Sequence, residues 1–145
     1  MKYLLIPRSS SGEPDKSGHS SMTEQTFTAL MNYNEEMTRA GVLLAAEGLN
    51  PNARSLHVRF TGSKGKVVDG PFAETKELIG GYYVIDVKGP EEAAAWALRY
   101  PGGFGNDDII EIRPLTSEGD LPREVLQRIA KAAPTWAAKF FPGAL

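Results

Sequence analysis

Two helical patterns, each set between strand-like runs, leave a chain of 145 residues few architectures. Residues 2–6 read as a first strand ended by Pro7, followed by an exposed loop over 8–20 rich in Ser, Gly, Pro, Asp and Lys. Ser21-Met22-Thr23-Glu24 has capping-box spacing, with Ser21 as N-cap and Glu24 reaching back. Beyond it Phe27, Leu30, Met31, Asn34 and Met37 recur at helical spacing. Thr28, Asn32, Glu35, Glu36 and Arg39 face away, and Gly41 supplies the stop. Residues 42–47 form a second strand. Residues 55–61 alternate, Leu56, Val58 and Phe60 on one face and His57 and Arg59 on the other, and 62–65 turn the chain into a strand at 66–68. After a strand at 81–87, Gly89-Pro90-Glu91-Glu92 starts a second helix with Ala93, Trp96, Ala97 and Tyr100 on one stripe. Residues 108–115 give a last strand. A linker at 116–119 leads to Asp120-Leu121-Pro122 and a helix carrying Leu121, Val125, Ile129 and Ala133, which Pro134 breaks before an aromatic segment at 135–141.

A strand–helix–strand pair on each side of antiparallel hairpins predicts an α+β, ferredoxin-like split βαβ sheet with helices on one face. The other face then needs a cover, and two such sheets facing each other would provide it, which predicts a homodimer. The expectation is one domain over 1–145, with a core of about 1–115 and a C-terminal helical extension at about 120–141.

The net charge of −2, with no Lys/Arg block, argues against direct nucleic-acid binding. The absence of cysteine removes disulfides, thiolate metal sites and a cysteine nucleophile. His19 and His57 lie on different elements without metal-ligand spacing, so no metal site is expected. Gly62-Ser63-Lys64-Gly65-Lys66 lacks the length and ending of a phosphate-binding loop. The short apolar run at the start suits neither a signal peptide nor a membrane span, so a cytoplasmic location away from membranes is the expectation.

The connection between the strands at 66–68 and 81–87 carries more than turn chemistry. Asp69-Gly70-Pro71 suits a turn; Phe72, Glu74, Lys76 and Glu77 are not needed for one. Asp69 is either a turn residue bonding nearby backbone N–H groups or a general base at a cleft. Glu74 and Glu77 either join Lys76 in a solvated cluster or point inward beside Arg113, where a drier carboxylate could move protons. Phe72 fits a plug that fixes the loop. Strand parity places His57, Arg59, Glu111 and Arg113 together on the face away from the helices, with Tyr82 or Tyr83 joining them according to register. Such a polar face is wet, paired across a dimer interface, or a ligand site.

Lys2-Tyr3-Leu4-Leu5-Ile6, Ala40-Gly41-Val42-Leu43, Glu47-Gly48-Leu49, residues 69–77 and Gly80-Gly81-Tyr82 resemble the DGPF-domain proteins of the wider YCII-related group. Glu111-Ile112-Arg113-Pro114-Leu115 is similar to that family's closing strand; residues 116–145 lie outside the likeness. The resemblance implies a dimeric α/β barrel of ferredoxin-like protomers. Relatives in the wider group look like enzymes with a His in the first helix and an Asp before a Pro ending the second. Those positions fall here near Leu30 or Met31 and at Tyr100, so the dyad is absent. Some DGPF-like proteins are encoded with or fused to extracytoplasmic-function sigma factors, which implies a regulatory role as another possibility.

The leading expectation is a cofactor-free enzyme doing acid–base chemistry on a small organic molecule beside the 69–77 loop. Asp69 and Glu74 would be the catalytic pair, Arg113 and Arg59 anion anchors and Tyr82 a donor, with Phe72 and His57 lining the site. The alternative is a non-catalytic small-molecule-binding or regulatory module acting with a sigma factor, which the missing dyad favours, as would exposed rings around Trp136, Phe140 and Phe141.

Overall fold

The computed structural model describes residues 1–9, 23–50, 55–70, 78–101 and 109–144. Strands β1 (Lys2–Ser9), β2 (Leu43–Gly48), β5 (Leu78–Ile79), β6 (Gly81–Asp86) and β7 (Ile109–Pro114) form one antiparallel sheet. Its order is β2-β6-β1-β7, with β5 continuing the line of β6 along β1. Helix α1 (Glu24–Arg39) joins β1 to β2, and α2 (Pro90–Leu98) joins β6 to β7. Each crossover returns to a strand parallel to the one it left, with an antiparallel strand between, which is the ferredoxin-like arrangement.

Tyr3, Leu5, Tyr83 and Ile85 from the two central strands meet Tyr33 and Met37 of α1 and Ala93 of α2, with Ile110 and Ile112 of β7 packed at the margin. Leu5, Met37 and Ile85 lie fully inside. The α1 stripe differs in part from the sequence expectation. Leu30 and Asn34 are half-buried and Met37 is buried, but Phe27 and Met31 are exposed, and Tyr33 fills the space expected for them. At 100° per residue Tyr33 lies on the flank of α1 away from Phe27 and Met31, so the buried stripe is rotated toward Tyr33, Met37 and Leu30. The N-cap is Thr23, whose hydroxyl accepts from the Thr26 N–H; Ser21 lies outside the described residues. Gly41, at φ +70, ends α1 as expected, its N–H donating to the Thr38 carbonyl at 3.0 Å.

Strand β1 runs through Pro7 to Ser9 rather than stopping at residue 6. Lys2 to Leu5 pair with Asp86 to Tyr83, whereas Arg8 and Ser9 pair with Ile79 and Leu78, one residue out of register. Pro7, which has no N–H to give, sits in that interruption.

Strands β3 (Leu56–Thr61) and β4 (Lys64–Asp69) form a separate two-stranded hairpin closed by Gly62-Ser63. Gly62 has φ +62 at the first central position, as a type II′ turn requires. This corrects the expectation that Leu56, Val58 and Phe60 face the helices: the hairpin is not part of the main sheet, and these side chains are 58%, 55% and 72% exposed.

Beyond β7, a 3-10 turn at Glu118–Asp120 leads into α3 (Arg123–Ala132) and α4 (Pro134–Phe140). The expected linker is thus partly ordered, and Asp120 caps that turn with Ser117 rather than the following helix. Helices α3 and α4 pack chiefly on each other and on the closing turn at Pro142–Ala144, where the Gly143 N–H donates to Glu118 Oε1 at 2.8 Å. Ala137 is fully buried there, while Trp136 and Phe140 are about half exposed.

Candidate functional site

Strand parity divides the sheet into two faces. Tyr3, Leu5, Tyr83, Ile85 and Ile112 look toward the helices. The opposite face carries one row of Ala45, Val84, Leu4 and Arg113 across the four strands. The next row holds the pairs Glu47–Tyr82 and Ile6–Glu111, and beyond it Arg8 stands between Ile79 and Ile109. The result is an apolar floor of Leu4, Ile6 and Val84 bordered by two carboxylates, two guanidiniums and a phenol.

Glu111 is the hub of the polar border. Its Oε2 pairs with Arg8 and its Oε1 accepts from Arg113 Nε at 3.1 Å. Glu111 and Arg8 are about three-quarters buried, whereas the Arg113 side chain is 63% exposed. An ion pair with one exposed partner contributes at most about 1 kcal/mol. Positioning is the larger effect: Glu111 holds two guanidiniums side by side at the edge of an apolar floor, and paired planar donors of this kind suit the carboxylate of a small organic anion. Ile6, only 7% exposed, is screened within this border.

The structure brings together only some of the residues expected at a site. Tyr82 takes the register that puts it on the Glu111–Arg113 face, and Tyr83 turns toward the helices. His57 and Arg59 do not share that face, because they stand on the separate hairpin opposite Val68 and Lys66. Asp69 ends β4 opposite Leu56, and it is exposed. Phe72, Glu74, Lys76 and Glu77 lie outside the described residues. Arg8 and Glu47 were missed; Arg8 was legible in the alternation Lys2, Leu4, Ile6, Arg8, had Pro7 not been taken as a stop.

A second cluster lies on the helix side. The rings of Tyr33, Tyr83 and Tyr100 meet edge-on at 5.6 to 6.0 Å, and Trp96 closes on Tyr33 at 6.4 Å. Tyr33 donates to the Trp96 carbonyl at 3.0 Å, tying α1 to α2. Burial, aided by the neighbouring Tyr100 phenol and opposed by Arg99, pushes Tyr33 up to about 12. Burial raises Tyr83 and Tyr100 as well. These phenols therefore stay protonated near neutral pH and act as donors, not bases.

Among the described residues there is no cluster of His, Asp and Glu arranged to hold a metal ion, and no helix long and apolar enough to cross a membrane. A shallow depression beside the first turns of α1, lined by Thr23, Glu24, Gln25, Thr28, Ala29 and Asn32, lies apart from both clusters.

The family model of the YCII-related domain matches residues 1–118, which span the sheet, α1, α2 and the hairpin. The chain belongs to the YCII-related family. It is also 32% identical over 101 residues to an uncharacterized protein of Rhizobium meliloti (strain 1021), an alignment covering 68% of this chain and 82% of that one. Helices α3 and α4 of this YCII-related protein lie beyond the family match. At the places where the resemblance would put a His and an Asp, Leu30 is half-buried on α1, Met31 is 40% exposed, and Tyr100 is held in the aromatic cluster.

Proposed function

We propose that this YCII-related protein binds a small organic anion on the face of its sheet turned away from α1 and α2, in a homodimer. Arg8 and Arg113 anchor the anionic group, Tyr82 donates to a second polar atom, and Leu4, Ile6 and Val84 receive the apolar part. The observation that carries this reading is Glu111 held between two arginines above an apolar row. Protein interiors and interfaces use such paired guanidiniums where planar carboxylates are recognised. Turnover by Asp69 and Glu74, without a cofactor, is the finer form of this proposal. Calorimetric titration with benzoate and short aliphatic carboxylates tests the binding reading. The expected result is saturable binding that weakens at least tenfold in Arg113→Gln. Unchanged affinity in Arg113→Gln sinks the proposal.

The half-exposed Trp136 and Phe140 support a second reading, in which the C-terminal helices dock a protein such as an extracytoplasmic-function sigma factor. Deleting residues 117–145 would then abolish co-purification with that factor and leave carboxylate binding intact.

A further inference from the structure

We propose that the polar face of the β3–β4 hairpin binds a phosphoryl dianion, as in a phosphate monoester or a diphosphate, through Arg59, Lys66 and Lys64. This site is separate from the carboxylate site on the main sheet and does not rest on it.

Alternation and pairing sort the hairpin into two faces of opposite chemistry. Strands β3 and β4 pair Arg59 with Lys66 and Thr61 with Lys64. Directly paired residues put their side chains on one side of a ribbon, as do residues two apart along a strand. One face therefore carries Arg59, Thr61, Lys64 and Lys66, with His57 beyond them. The other carries Leu56, Val58, Phe60, Val67 and Asp69. Asp69 is the only carboxylate in residues 55–70, so the basic face holds none. In the sequence this cluster is hidden, because the basic residues alternate with others and the turn at Gly62-Ser63 is what folds them together.

The arrangement works against the hairpin itself. Like charges directly opposite across a strand pair destabilise it. Elsewhere arginines are matched: Arg8 and Arg113 by Glu111, Arg39 by Glu35, and Arg99 by Glu36. Arg59, Lys64 and Lys66 are exposed, and none of the three is in an ion pair with a described residue. A set of cations that costs its own element stability is complementary to an anion from outside the chain.

Spacing selects the anion. Opposed side chains start about 4.5–5.5 Å apart and diagonal ones about 7–8 Å, so Arg59 reaches the same point as Lys66 opposite it and Lys64 across the diagonal. A tetrahedral dianion accepts from all three, the guanidinium giving two parallel N–H bonds and each ammonium a point charge. Single-stranded nucleic acids are bound where cations stand beside rings that stack the bases. This face has no ring of that kind, since Phe60 is on the other side. A compact phosphate therefore fits better than a nucleic-acid strand.

Titration of the full chain with pyrophosphate in low-salt buffer, followed by nitrogen–proton NMR, tests the site. The expected result is saturable shifts at backbone amides of residues 57–66. Affinity should fall about tenfold in Arg59→Gln and in Lys66→Gln, since each loses a hydrogen bond from a charged group, and should be largely kept in Lys66→Arg. All three changes lie at exposed positions. Absence of saturation, shifts centred on the main sheet, or equal affinity in Lys66→Gln overturns the proposal, as does loss of pyrophosphate binding in Arg113→Gln. A short oligothymidylate without terminal phosphates is the remaining arm. Weaker binding than pyrophosphate at the same amides supports the dianion, and tighter binding overturns it in favour of a diester backbone.

Discussion

Ile85 and Leu56 are both apolar residues on alternating strands, yet one has no exposed surface and the other is 58% exposed. Ile85 belongs to the sheet half that α1 and α2 cover, and Leu56 to a hairpin whose apolar side no helix covers among the described residues. The pair teaches that alternation specifies a two-sided strand without specifying what lies over its apolar side. In the first region the cover is encoded nearby, on helices that connect the same strands. In the second it is not part of the described chain at all.

The largest effect should separate these regions most sharply. Ile85→Ala removes a fully buried side chain and is expected to cost about 2–5 kcal/mol, read from urea unfolding. Leu56→Ala in dilute protein should stay within about 0.5 kcal/mol, the usual range for exposed positions. An equal, concentration-independent loss at both positions would mean that the hairpin packs on its own chain.

Two glycines sharpen the contrast. A Cβ on Gly81 would lie 2.5 Å from the Glu47 carbonyl oxygen, a backbone atom of β2 that cannot move without opening the sheet. Gly81→Ala should therefore destabilise by about 1–3 kcal/mol. At Gly65 the nearest atom, 3.1 Å away, belongs to the exposed Phe60 ring, which can swing aside. Thermal unfolding of Gly65→Ala should match the parent closely.

Next comes the tie between the helices. Tyr33→Phe loses one hydrogen bond to a backbone carbonyl, worth about 0.5–1.5 kcal/mol. The same substitution has a pH signature. An unfolded phenol ionises near 10, but in the fold Tyr33 keeps its proton up to about 12. Between those values the folded state binds more protons, so stability is intact below 10 and falls as pH rises through the folded value. Denaturation followed against pH should show a shallower alkaline decline in Tyr33→Phe.

The smallest effect lies in the exposed turn before α3. Hydrogen bonds from the Ser117 hydroxyl and then its backbone N–H hold the Asp120 carboxyl below its ordinary value. That contribution is present above the ordinary carboxylate range and fades as pH falls. Ser117→Ala should move the Asp120 titration upward by NMR while barely altering the unfolding midpoint.

The ferredoxin-like order was legible because the helices announce themselves. Gly41, the Gly89-Pro90 start and the Ala93–Trp96–Ala97–Tyr100 stripe each follow from local chemistry that tertiary contacts do not override. The pairing of Tyr82 with Glu47 was open to a one-residue slip, and only the sheet resolves it. Arg8 was hidden because a proline normally ends a strand; here the register change at residues 78–81 leaves Pro7 a place where no donor is needed. His57 and Arg59 were assigned to the main sheet because their alternation matches that of β7, and period two carries no label for which sheet a strand joins. The loop residues Phe72 and Glu74 fall outside the described structure.

The two tryptophans fall one to each side of the family boundary. Trp96 packs in the aromatic cluster with the Arg99 guanidinium 4.3 Å from its ring, whereas Trp136 is half exposed against Phe140 and Phe141. Intrinsic fluorescence therefore contains two emitters of different colour and quenching, one for each part. Replacing either with Phe yields a single-emitter protein whose melting curve reports whether the appended helices dissolve before, or together with, the sheet they follow.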